Sequence, residues 1–284
     1  MRLSTVRLPA PDSDGLITAA ARHEADELVL LPYPDVGALL AGGEDWQHRA
    51  AAADGERLPL EGASLAPVVP HPNKIVCLGL NYATHIKEMG RPTPTHPTLF
   101  AKYDGSLVGA HDDVHMPSVS DDLDWEAELG VVIGRRARHV TRDEALAHVG
   151  GYTVVNDVTV RDWQHRTREF LSGKTFEATT PVGPSLVTPD ELPPGASGLT
   201  VGCSVDGHTM QKSNTSDLLF DVAAIIAYIS TIITLLPGDL IATGTPGGVG
   251  AGRDPKVFLR PGQQLVTFVE GVGELCNTVV KDLS

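Results

Sequence analysis

Cysteine is scarce: the chain holds only 3, Cys77, Cys203 and Cys276. They are far apart and odd in number, which excludes a disulfide framework and matches no zinc pattern. Reduced thiols fit a cytoplasmic setting. Basic charge is short as well, with 22 Lys and Arg against 36 Asp and Glu, a formal net charge of −14. A polyanion binder needs clustered cations, so a nucleic-acid partner is excluded. Nothing in that balance attracts the chain to an anionic membrane. The start, "MRLSTVRLPAPDSDGL", lacks a continuous apolar segment, and no signal peptide is expected. One long apolar run exists, "VAAIIAYISTIITLL" at 222–236, with Tyr228, Ser230, Thr231 and Thr234 inside it. It is too short to span a bilayer. Asp221 before it and "PGD" after it mark a buried core helix, expected over 217–236. No repeat or low-complexity tract interrupts the chain. "GTPGGVGAG" is dense in glycine but lacks G-K-[ST], which argues against a phosphate-cradling loop.

With 42% hydrophobic and 20% charged residues the composition is that of an ordinary globular protein. A length of 284 residues permits one large domain, or a main domain with a small companion. Residues 1–68 read as a small N-terminal α+β domain, ending in the proline-rich linker "LAPVVPHPNK" at 65–74. Residues 69–284 read as a β-rich domain. Strands are expected at 74–80, 98–102, 126–134, 151–156, 182–187, 199–206, 239–243, 264–269 and near 275–280.

The chemistry begins at "LDWEAELGVVIGRR", 123–136. Alternate residues of a strand share a face, so Glu126 and Glu128 should project side by side, roughly 7 Å apart along the strand. Their neighbours are those of a buried sheet, where like charges repel strongly. "YTVVN" ends at Asp157, and a third carboxylate there can meet the pair if the two strands are adjacent. Three converging carboxylates make a hard-oxygen site for Mg2+, Mn2+ or Ca2+. An isolated E-x-E is otherwise most often a solvated pair on an edge strand. "GLNYATHIKEMG" places His85 and Glu88 three residues apart, on one face of a helical turn, where a Glu can orient an imidazole base. Alone, that spacing is more often a surface ion pair. Lys174 lies in a Gly-flanked turn, "SGKTF".

These stretches, together with "PTLFAKYDGSLVG", "QKSNTSDLLF" and "LPGDLIATGTPGGVG", occur in the order that resembles the fumarylacetoacetate hydrolase family, over about residues 74–280. The resemblance implies a mixed β-sandwich roll, a homodimer, and a divalent metal, Mg2+ or Mn2+ with Ca2+ also fitting. It implies Glu126, Glu128 and Asp157 as metal ligands, His85 and Glu88 as the water-activating dyad, and Lys174 as the active-site lysine. Arg161 and Gln164 match the oxyanion-stabilising and substrate-contacting pair, and Thr243 or Thr245 falls in the substrate-contacting loop. The larger eukaryotic hydrolases carry an extra aspartate ligand before the His motif; here that stretch reads "LGLNYATH", with no carboxylate. The activity so implied is C–C hydrolysis of acylpyruvate-type β-diketo acids such as fumarylpyruvate. The alternative is decarboxylation or tautomerisation of oxaloacetate-like or hydroxymuconate-like 2-keto acids. A metal-stabilised binding protein without chemistry is the weakest option, since every ligand and catalytic position is filled.

Overall fold

The computed structural model describes every residue except Asp12, Met89, Arg91, Leu283 and Ser284; the side chains of His85 and Glu88 are also outside the described set. Its architecture is α+β and β-rich. An 11-stranded sheet runs in the spatial order Arg57–Pro59, Glu27–Leu30, Leu16–Glu24, Arg2–Pro9, Thr180–Val187, Val149–Asn156, Ala127–Ile133, Leu240–Ala242, Ile75–Gly79 and Thr98–Lys102, with Leu107–Val108 off that path. A second sheet of five strands orders His208–Asn214, Thr200–Val205, Gln264–Val269, Gly273–Lys281 and Val114–Met116. Each strand expected from the sequence has a counterpart here.

The Ala127–Ile133 strand lies inside the large sheet. It pairs antiparallel with Val149–Asn156 on one side and with Leu240–Ala242 on the other. Every residue of the 127–133 and 149–156 strands is buried, as expected when both faces of a sheet are covered. Leu129, Val131, Tyr152 and Val154 pack toward the second sheet, against Val201, Leu265 and Leu275. Val132 and Val155 face the other way, into a core shared with Leu3, Leu39 and Leu40. The result is a sandwich with a second apolar layer behind it.

Residues 1–68 contribute four strands and two short helices. Arg2–Pro9 joins the large sheet edgewise, pairing Arg2 with Val187 and Leu3 with Leu186. The apolar run forms a helix at Val222–Ile232, shorter than the expected 217–236 at both ends: Thr215–Asp217 is a separate 3-10 turn, and Ile233 is already extended. Asp221 caps it by accepting the Ala224 N–H at 2.9 Å. Val222, Ile225, Ile226 and Ile229 form the buried stripe. Among the described residues, no helix is long and apolar enough to cross a membrane.

Candidate metal centre and its cavity

Glu126 stands just ahead of the 127–133 strand, and Asp157 just past the end of its neighbour. Because Ala127 pairs with Asn156, those two positions fall side by side. The Asp157 N–H donates to the Glu126 carbonyl at 2.9 Å, and the Asn156 side-chain oxygen accepts the Glu126 N–H at 2.9 Å. Glu128, two residues on, shares the face of Glu126. It is anchored by the Gly244 N–H, which donates to Oε2 at 2.7 Å. Gly244 has φ +101°, and a Cβ there would lie 2.9 Å from that of Asn81. Only glycine fits this close, left-handed approach.

The outcome is a cluster in which one carboxylate oxygen from each of Glu126, Glu128 and Asp157 lies within 4.8 Å of the others. All three side chains are buried, Glu128 and Asp157 completely. Lys174 Nζ donates to Glu126 Oε2 and to Asp157 Oδ2, both at 2.7 Å. Lys102 Nζ donates to Asp157 Oδ1 at 2.6 Å. Arg161 bridges Glu126 Oε1 and Asp124 Oδ2, each at 2.7 Å, and donates to Gln164 Oε1 at 3.0 Å. Among the described residues, four carboxylates therefore face three cations.

Burial alone would raise the Glu126 carboxyl, but Lys174 and Arg161 outweigh it and hold the pKa at about 2. Among the described residues, Glu128 has no cation in contact. Burial first, then Asp157 and Glu126, push its pKa well up. Burial would discharge Lys174, yet Asp157 and Glu126 reverse that and raise it. Among the described residues Glu128 Oε1 is buried without a hydrogen-bond partner. A purely oxygen donor set with one orphaned carboxylate oxygen fits a hard divalent cation.

One acid of the cluster, Glu126, reaches a cavity of about 560 Å3, with Glu128 and Asp157 buried behind it. Glu126, Arg161, Gln164 and Lys174 line its polar side, and Phe100 and Phe170 its apolar side. The glycine-rich loop adds Thr245 and Arg253 to the rim. A larger cleft of about 890 Å3, at Met1, His23, His111 and Glu274, contains none of the three acids. The cavity at Glu126 is the candidate site.

The family profile for the fumarylacetoacetate (FAA) hydrolase C-terminal domain matches residues 74–280. The chain belongs to the fumarylacetoacetate hydrolase family. It is 42% identical over 235 residues to the human oxaloacetate tautomerase FAHD2A, mitochondrial, covering 82% of this chain and 74% of that one. The structure of a fumarylacetoacetate hydrolase from Exiguobacterium antarcticum superposes with a TM-score of 0.85 at 32% identity, covering 99% of this chain and 100% of that one. A 2-hydroxyhepta-2,4-diene-1,7-dioate isomerase from Mycobacterium marinum superposes with a TM-score of 0.78 at 31% identity, covering 100% of each chain.

Within this family fold, the expected residues fall as follows. Glu126, Glu128 and Asp157 converge, and Lys174, Arg161 and Gln164 stand around them. Thr245 lines the cavity; its hydroxyl donates to the Ala127 carbonyl at 3.0 Å and accepts from Gln211 at 2.8 Å. Thr243 is fully buried and spends its hydroxyl on the Leu129 carbonyl at 2.9 Å. His85 and Glu88 lie on the helix Ala83–Glu88, directly after the cavity-lining Leu78–Leu80, but their side chains are outside the described residues. Reasoning from sequence missed Asp124, Lys102, Arg253 and the Gly244 N–H. Asp124 had a signal: it precedes Glu126 by two places in the same extended stretch. A lysine closing a strand, as Lys102 does, resembles any solvated lysine until the sheet is assembled.

Proposed function

We propose that this chain is a divalent-metal-dependent tautomerase or isomerase of oxaloacetate-like 2-keto acids, acting at the Glu126–Glu128–Asp157 cluster. The observation that carries this reading is the 42% identity over 235 residues to an oxaloacetate tautomerase. The cavity at Glu126 is consistent with it, because Arg161, Lys174 and Arg253 offer the positive charge that a dicarboxylate requires. When bound, a divalent ion supplies Lewis-acid polarisation of a keto oxygen, which eases loss of the neighbouring C–H proton. Mg2+ and Mn2+ are the proposed ions, and Ca2+ has the same ligand preference.

The protein residues then have separate tasks. Arg161 has two of its nitrogens committed to Asp124, Glu126 and Gln164, while Nη2 is buried without a partner among the described residues. A substrate carboxylate oxygen would satisfy it. Arg253, at the rim, holds the second carboxylate, and Phe100 and Phe170 exclude water from the carbon chain. His85, oriented by Glu88, is the proposed proton carrier at the carbon next to the keto group. Lys174 and Gln164 face the oxygen that gains negative charge. We further propose a homodimer in the cytoplasm, consistent with three free thiols.

C–C hydrolysis of acylpyruvates is the second reading, favoured by the TM-score of 0.85 to a fumarylacetoacetate hydrolase. There His85 would deprotonate water instead of carbon. The two separate in one assay series. Enol-to-keto conversion of oxaloacetate is followed by loss of enol absorbance, with Mn2+ and with EDTA, beside cleavage of an acylpyruvate. We expect metal-dependent conversion that outpaces cleavage by orders of magnitude. Rapid acylpyruvate cleavage without tautomerisation would reverse the assignment.

A further inference from the structure

Lys174 occupies an unusual seat. Its ammonium sits between two of the three proposed ligands, 2.7 Å from an oxygen of each, with a side chain only 2% exposed. The other oxygens of those carboxylates are also taken, Glu126 Oε1 by Arg161 and Asp157 Oδ1 by Lys102. Among the described residues, a cation binding all three acids therefore finds one uncommitted oxygen, on Glu128. Withdrawal of Lys102 or Arg161 would release one ligand each. Withdrawal of Lys174 releases an oxygen on both Glu126 and Asp157 at once. Two cations sharing the same pair of oxygens in a buried site repel strongly, so shared occupancy is disfavoured.

We infer that Lys174 is a built-in stand-in for the metal, holding Glu126 and Asp157 together in the metal-free protein and leaving that seat when a divalent ion is bound. This rests on the metal reading of the acid cluster. Lys174 already lines the cavity, and in its present seat Nζ also lies 5.0 Å from the Phe100 ring centroid, an aromatic face that attracts an ammonium and stays with it as it leaves the carboxylates. Its backbone is fixed meanwhile: Gly173 packs so closely on Gln164 that a Cβ would lie 2.4 Å from the Gln164 nitrogen. The side chain alone has to move. Metal loading and the delivery of a cation to the substrate cavity become one event.

The sign of one measurement decides. Titration of Mn2+ alone into wild-type protein and into Lys174→Met, by calorimetry, should show at least tenfold tighter binding by the variant, because a competing internal cation is gone. Equal or weaker binding by the variant, with clear binding by wild type, overturns the stand-in role and leaves the metal site standing. No binding by either removes both. Should Lys174→Met fail to fold, acetylation of wild-type Lys174, normalised to exposed Lys281 and read by mass spectrometry, answers the same question. Labelling should rise several-fold on adding Mn2+. Unchanged or reduced labelling overturns the inference.

Discussion

Replacing Lys102 by Met removes one partner of a fully buried ion pair while keeping the length of the side chain. Both Lys102 and Asp157 are 0% exposed and lie 2.6 Å apart. Breaking a buried pair from one side typically costs about 3–5 kcal/mol, because the surviving charge is left uncompensated. Here Lys174 still holds the other Asp157 oxygen at 2.7 Å, which places the expected loss at the lower end, about 3 kcal/mol. For a chain of this size that is a drop in Tm of roughly 5–10 °C. Two further results follow from the same charge count. Asp157→Asn in the Lys102→Met background removes the excess negative charge, so the double variant should be more stable than the single one in EDTA. Mn2+ at about 100 times the wild-type Kd stabilises wild type by roughly 2.7 kcal/mol, and at that same concentration the gain should be larger for Lys102→Met, whose Kd is expected to be lower with one competing cation gone. Urea unfolding of the three proteins with and without Mn2+ tests all of this. A loss under about 1 kcal/mol for the single variant, or no recovery in the double variant, would refute the view that Lys102 is there to balance Asp157.

Gly244→Ala should lower stability by about 1–3 kcal/mol, the usual cost of a strained backbone, and should weaken Mn2+ binding, because the N–H that anchors Glu128 shifts with it; melts and calorimetry report the two effects separately. Arg253→Ala should raise KM for a keto dicarboxylate about tenfold or more, as expected for loss of a charged hydrogen bond, with a smaller effect on a keto monocarboxylate in steady-state kinetics. His23 is held neutral: burial first, then Arg2, bring its pKa from 6.5 to about 4, against a smaller opposing pull from Glu191. The unfolded chain therefore takes up a proton that the fold refuses, so stability is full above pH 6.5 and falls as the pH drops toward 4. Chemical denaturation at pH 7.5 and 4.5 should show a loss on the order of 2 kcal/mol, and His23→Gln should remove that part of the pH dependence.

The strands from residue 74 onward were legible because glycines and prolines punctuate apolar runs, and the glutamate pair because period-two alternation needs no tertiary knowledge. The acid cluster followed once the 126–134 and 151–156 segments were taken as neighbours, which Ala127 opposite Asn156 bears out. Sheet order was not legible. Leu240–Ala242 inserts between Ala127–Ile133 and Ile75–Gly79, a crossover that leaves no local mark. Lys102 illustrates the same limit for the site: its partner is 55 residues away, and its immediate neighbours say nothing of burial. Thr243 and Thr245 both spend their hydroxyls on carbonyls of the 127–133 strand, and only the loop geometry shows that Thr245 alone also lines the cavity. The N-terminal strands were unreadable as part of the large sheet, since the pairing of Leu3 with Leu186 spans most of the chain.

The three acids stand on or beside strands deep within the large sheet, whereas Phe170, Thr245 and Arg253 come from the connections around them. The acids and this part of the wall are thus mechanically separate, although Phe100 comes from a strand of the large sheet. Exchanges among the wall residues can redirect which carbon skeleton is admitted while the acid cluster keeps its dimensions. One scaffold can in this way serve tautomerases, isomerases and hydrolases alike, with chemical identity written in the loops and the ability to hold charge written in the strands.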